Sequence, residues 1–229
     1  MSSDLAEQLD AILVTHEHID HIKGVGPLAR RHRIPVYTNA GTWSAMSTSV
    51  GLIAKLDIRI FESGSVFDVG DVAVRSFRTP HDAAESVGYV LDTGKGRVSV
   101  CTDLGEITPS VMAAIRGSDV VFLESNYDDH MLMAGPYPWP LKKRIRGVRG
   151  HLSNDMTAAA VCELLSTGTG HIVLSHLSRH NNFPELAEMT VLAELKGKGA
   201  VVGRDLLLSV APPAEPGCRI ACQAAGSWV

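Results

Sequence analysis

Thr15-His16-Glu17-His18-Ile19-Asp20-His21 places three imidazoles and the Asp20 carboxylate directly behind the apolar run Ala11-Ile12-Leu13-Val14. That run, with no polar residue, reads as a strand buried on both faces, and it must end where the polar cluster begins. Extended backbone lets His16 and His18 point the same way. Asp20 and His21 follow where the chain turns, a second set of nitrogen and oxygen donors close by. Ligands at the C-terminal edge of a strand are held by a rigid sheet yet stay open to solvent. The plain alternative is a polar loop with coincidental histidines. With only ten histidines in 229 residues, this density favours a metal site, and a dinuclear one.

The composition sets the frame. A chain of 229 residues with 45% hydrophobic content can bury one substantial core, so a single domain is expected over 1–229, with a poorly structured tail from about residue 211. The net charge of −4 does not mark a nucleic-acid binder, so local clusters matter more than the sum. Cys101, Cys162, Cys218 and Cys222 lack the paired spacing of a zinc ribbon or a disulfide framework. No apolar run approaches the length of a membrane span, and Met1-Ser2-Ser3-Asp4 does not read as a signal peptide, so the expected compartment is the cytoplasm.

Along the chain, Leu5 to Leu9 reads as the end of a helix. Ile22 to His32 has helical character despite Gly24, Gly26 and Pro27, and Arg30-Arg31-His32-Arg33 reads as a solvated face. Pro35-Val36-Tyr37 is a short strand, Thr42 to Met46 a helical turn or two, and Ile58 to Phe61 another strand. From Ser65 to Thr102 the pattern is β, with strands at Val72 to Phe77, Ser86 to Leu91 and Arg97 to Cys101 and a hairpin at Gly94-Lys95-Gly96, so antiparallel pairing is expected there. Pro109 to Arg116 is a helix, Asp119 to Glu124 a strand, and Gly170 to Ser175 an apolar strand begun by a structural His171. Phe183 to Lys196 and Arg204 to Val210 close the series as helix and strand.

His81, Asp103 and His176 repeat the logic of His16, each standing in a loop just behind a strand. Asp103 is the most telling, because a carboxylate can bridge two metals through its two oxygens. Glu124-Ser125-Asn126, also at a strand end, reads either as support for the ligands and their loop or as incidental. Pro138 to Arg149 holds Trp139, Lys142, Lys143, Arg144, Arg146 and Arg149, the strongest basic cluster, suited to a phosphate backbone or simply to a solvated helix. In Gly150-His151-Leu152-Ser153-Asn154, Ser153 or Asn154 is a good N-cap for the helix running through Leu165, which leaves His151 just before a helix N-terminus.

The set His16-x-His18-x-Asp20-His21, His81, Asp103 and His176 resembles the ligands of the metallo-β-lactamase-fold hydrolases. The runs Ala11 to Gly26, Thr79 to Glu85, Glu124-Ser125-Asn126, Tyr137-Pro138-Trp139, Gly150 to Asn154 and His176-Leu177-Ser178 with Asn181-Asn182 narrow it to the WalJ (YycJ) subgroup of DNA exonucleases, from about Leu5 to about Val210. The alternation of elements supports an α/β class, and the resemblance implies the specific αββα four-layer sandwich. It also implies that His16, His18 and His81 hold one metal ion, Asp20, His21 and His176 a second, and that Asp103 is shared. The ions would be zinc or manganese, with a bridging hydroxide as nucleophile for phosphodiester hydrolysis. Asp20 and His151 are the catalytic candidates, His151 by assisting the leaving oxygen. Lys142, Lys143, Arg144, Ser153 and Asn154 are the candidates for holding DNA. Hydrolysis of a small ester, thioester or lactone is the alternative on the same fold. Relatives carry several strands before the equivalent of Leu5, so an N-terminally truncated chain, with an inactive truncated product as the alternative, is a further expectation.

Overall fold

The computed structural model describes residues 9–212 and Ile220. The helix end expected from Leu5 lies outside these residues apart from Leu9, as do Cys218, Cys222 and nearly all of the expected tail. The chain divides into two compact units, one comprising the residues up to Arg78 together with Asp82–Tyr89, the other Thr79–His81 and Val90 onward. The strand β6 (Val87–Asp92) runs from the first into the second.

In the first unit β1 (Ile12–Leu13), β2 (Val36–Asn39) and β3 (Ile58–Phe61) pair in parallel, with Ile12 opposite Val36 and Val36 opposite Ile58. Parallel neighbours need crossovers, and the helices α1 (Ile19–Ile22), α2 (Val25–His32) and α3 (Ala40–Val50) supply them. Their inward residues Ile22, Val25, Ala29, Met46 and Val50 meet Val14 and Val36 in one buried cluster. The helix expected over Ile22 to His32 is two pieces, broken where Gly24 caps α2. The turn or two expected at Thr42 to Met46 is an eleven-residue helix. Its Ser- and Thr-rich composition is a poor helix former, but the Asn39 side chain caps it by accepting from Thr42 N at 2.8 Å, and burial of Met46 and Val50 outweighs propensity. The strands β4 (Val66–Val69) and β5 (Val72–Arg78) form the expected antiparallel pairing, joined through Gly70, whose φ of 60° a tight hairpin turn requires.

The second unit is organised by β7 (Arg97–Cys101), β8 (Val120–Glu124), β9 (His171–Ser175) and β10 (Leu207–Val210), all parallel in the order β10-β9-β8-β7. Every residue of β9 is buried, as expected of a parallel strand covered on both faces. The connections are α4 (Pro109–Ile115), the short α5 (Asp129–Ala134) and α6 (Trp139–Ile145), α7 (Asn154–Leu165) and α8 (Pro184–Gly197). Ser153 is the N-cap of α7, its hydroxyl accepting from Met156 N at 3.2 Å. The register decides the rest. Cys101 lies opposite Leu123, Leu123 opposite Leu174, and Glu124 opposite Ser175. Asp103, Glu124 and His176 therefore leave the sheet at one edge, the C-terminal ends of adjacent parallel strands, where open α/β sheets build their sites.

Candidate metal centre

In the first unit, hydrogen bonding from Tyr89 Oη to Val14 O and from Val87 N to Thr15 O (3.0 Å) fixes the chain as it leaves β1. His16 follows and is fully buried, its Nδ1 3.1 Å from the Thr15 hydroxyl. The His16 ring lies 4.6 Å from that of His18 and 4.2 Å from that of His21. His18 caps α1, whose single turn brings His21 back over it, and the exposed Asp20 carboxylate lies 3.5 Å from His21 Nε2. Glu17 faces elsewhere and accepts from Ala84 N at 2.8 Å. Three imidazoles gathered within one short stretch are donors of the kind that divalent metals take.

The second unit gathers the remaining donors. One ligand atom each from Asp103, Glu124, His151 and His176 lie within 4.8 Å of one another. Asp103 (φ 60°) and His176 (φ 57°) both adopt the left-handed conformation just past their strands, strain of about 1–3 kcal/mol apiece that persists only where surroundings impose it. His81 Nε2 is 3.7 Å from Asp103 Oδ1, and His176 Nε2 is 3.6 Å from the same oxygen.

Glu124 organises this group. Its Oε1 accepts from His176 Nδ1 at 2.7 Å and from His151 Nδ1 at 2.9 Å. Its Oε2 accepts from the backbone N–H of Leu152 at 3.0 Å and of Leu104 at 3.2 Å. With both oxygens doubly engaged, Glu124 orients the two imidazoles and ties them to the backbone at Leu104 and Leu152. Burial alone would raise its carboxyl, but the two imidazoles win and hold it well below the usual carboxylate range. Burial likewise pulls His151 down, and the bond to Glu124 outweighs it, leaving the imidazole above its ordinary value. His176, bonded through Nδ1, turns Nε2 toward Asp103, the arrangement by which an outer carboxylate or carbonyl fixes a metal-binding histidine. His81 follows the same rule with Gly150 O as partner, 3.0 Å from its Nδ1. The donors thus fit divalent metal binding.

The structure places the candidates for holding DNA in two different settings. Lys143 and Arg144 are exposed on α6. Lys142 is buried and donates its ammonium to Met133 O at 2.6 Å. Ser153 caps α7, while Asn154 accepts from Ser125 Oγ at 2.7 Å and exchanges amide bonds with Asn182. Asn126, which donates to His176 O at 2.8 Å, is supporting too. Within the basic segment, Arg149 donates through Nε and Nη2 to His81 O at 3.0 and 2.8 Å, a clamp that composition alone hid. Arg146 pairs with Asp129 at 2.8 Å. His130 is exposed, and His171 Nε2 meets Ser209 Oγ at 2.8 Å, a contact between neighbouring strands.

The beta-lactamase superfamily domain matches residues 2–177. The chain belongs to that superfamily. It is also 41% identical over 208 residues to exodeoxyribonuclease YycJ of Bacillus anthracis, covering 91% of this chain and 79% of that protein. To exodeoxyribonuclease WalJ of Streptococcus pneumoniae it is 39% identical over 201 residues, covering 87% and 75%. These relatives put it in the WalJ/YycJ-like subgroup of the metallo-β-lactamase superfamily. In fold, it matches the metallo-β-lactamase fold protein YhfI of Bacillus subtilis with a TM-score of 0.61 at 18% identity, over 90% of this chain and 76% of that one. The α/β fold class expected from the alternation of elements, and the metallo-β-lactamase fold that the resemblance implied, are thus those of this superfamily. As a WalJ/YycJ-like protein the chain is a metal-dependent hydrolase. Among the described residues, no helix is long and apolar enough to cross a membrane.

Proposed function

We propose that the chain is a dinuclear-metal phosphodiesterase acting on DNA, and specifically an exonuclease. The observation that carries the reading is the pair of imidazoles, His151 and His176, held by one buried carboxylate at the strand ends. Only one of them belongs to the ligand set that the family resemblance implies. On this reading His16, His18 and His81 would hold one ion, Asp20, His21 and His176 would hold the other, and Asp103 would serve both. Such ions, zinc or manganese, would supply hydroxide near neutral pH and would offset the charge that grows on the phosphoryl oxygens.

The remaining steps belong to the chain. His151 keeps its Nδ1 proton on Glu124 and presents Nε2 to the substrate. As the bond from phosphorus to the leaving oxygen breaks, Nε2–H gives its proton to that oxygen, and Glu124 stabilises the imidazolium from behind. Lys143 and Arg144 hold the strand through its phosphates, with Lys142, Ser153 and Asn154 acting by shaping the segment around them. The name borne by the relatives, exodeoxyribonuclease, supports both DNA and removal from an end. A cytoplasmic location fits such a substrate.

The test is His151→Ala in protein whose metal content is measured by elemental analysis. DNA cleavage should fall by about a hundredfold or more while about two ions per chain are retained, the loss expected of a general acid. Unchanged cleavage with metal in place removes His151 from the chemistry. Turnover of small thioesters or lactones with no release of nucleotides from single- or double-stranded DNA would move the chain to the other hydrolase class on this fold.

A further inference from the structure

We propose that the cleft between α6 and α7 is a nucleobase subsite, taking one base of the DNA strand beyond the scissile phosphate; this rests on the nuclease reading above. The cleft has a volume of about 620 Å³, within the range of small-ligand sites. Ser153 lines it and is separated from His151 by Leu152 alone, so the cleft begins beside the proposed general acid. Its walls carry Trp139, 61% exposed, and Met156, 38% exposed. A large aromatic face and a polarisable thioether left open in one concavity make a stacking platform for a flat, sequence-tolerant ligand.

Charge separates a base from a phosphate as the occupant. Arg146 and Asp129 both line the cleft and neutralise each other at 2.8 Å. What remains is one cation, Lys143, and one anion, Asp155. A cleft with no net charge does not attract a phosphate into its interior, whereas an uncharged base stacks on Trp139 and can turn an N–H toward Asp155, an exocyclic amino group in most bases and N3–H in thymine. Lys143, exposed at the margin, is left for the phosphate flanking that base. A single strand of DNA supplies both groups together.

The experiment measures binding of a fluorescent phosphorothioate-linked thymidine dodecamer to the metal-loaded full chain by anisotropy at one fixed salt concentration. Trp139→Ala should weaken binding about tenfold, the effect of losing one stacked base, and Trp139→Phe should stay within about threefold of the parent. A single abasic site walked along the strand should cost the parent protein about tenfold at one position. On that strand Trp139→Ala should bring no further loss. Equal binding by Trp139→Ala and parent, or a loss independent of where the abasic site lies, overturns the subsite. If Trp139→Ala does not fold, the abasic walk on the parent protein decides alone. Should the parent neither bind nor degrade an unmodified strand, the nuclease reading falls and the subsite with it. Degradation with no effect of Trp139 or of base removal sinks the subsite only.

Discussion

Replacing Glu124 by Gln removes one charge and converts one acceptor oxygen into a donor, in a side chain that accepts four hydrogen bonds. If the new amide faces the imidazoles, both Nδ1–H groups meet a donor. Turned the other way, the clash moves to the backbone N–H of Leu104 and Leu152. Two charge-assisted bonds at about 1.5–3 kcal/mol each put the cost at roughly 3–6 kcal/mol if nothing relaxes. For a chain of this size that corresponds to a fall in Tm of roughly 6–24 °C. The imidazoles have one escape, which is to switch tautomer and accept from the amide at Nδ1. Stability is then recovered, but Nε2 carries a hydrogen into the site, and His176 no longer offers a lone pair to a metal. The expected loss of metal affinity is about 10- to 100-fold. Glu124→Gln must therefore show one deficit or the other. Thermal melting in chelator, paired with metal titration against a competing fluorescent chelator, separates the two. A variant within about 2 °C of the parent in Tm and within about twofold in metal affinity would refute the role assigned to Glu124.

Two further outcomes follow from the same geometry. Arg149→Ala loses both bonds to His81 O and should destabilise the chain by about 1–3 kcal/mol by melting, with a parallel fall in metal affinity. Because the guanidinium is spent on that carbonyl, the salt dependence of DNA binding should stay the same; a slope lowered by about one would return Arg149 to the phosphate-binding set. A Cβ at Gly150 would lie 2.1 Å from Ile145 O, so Gly150→Ala must move backbone beside the His81 contact. Its Tm should fall by more than that of a typical surface change, which costs within about 0.5 kcal/mol, and parent-like melting would contradict the close approach.

Some of this protein lay open in its sequence, for a physical reason that can be stated residue by residue. The cluster from His16 to His21 is local: an apolar strand stops, and the donors follow within one turn, so spacing alone exposes it. Asp103 and His176 were legible by the same strand-end logic, as was the capped helix behind Ser153. Buried positions of α3 were not, because its Ser and Thr speak against a helix and only Met46 and Val50 packing on the sheet decides for one. Glu124 was visible as a strand end, but not as the partner of residues 27 and 52 positions away. Lys142 and Arg149 read from composition as cations for phosphate or for a solvated helix face, and the structure shows them donating to the carbonyls of Met133 and His81. Local periodicity reports which face of an element is buried and where the element stops. The register of a parallel sheet and the long-range hydrogen bonds at its edge are set by packing between segments far apart in the chain, and only the tertiary structure decides those.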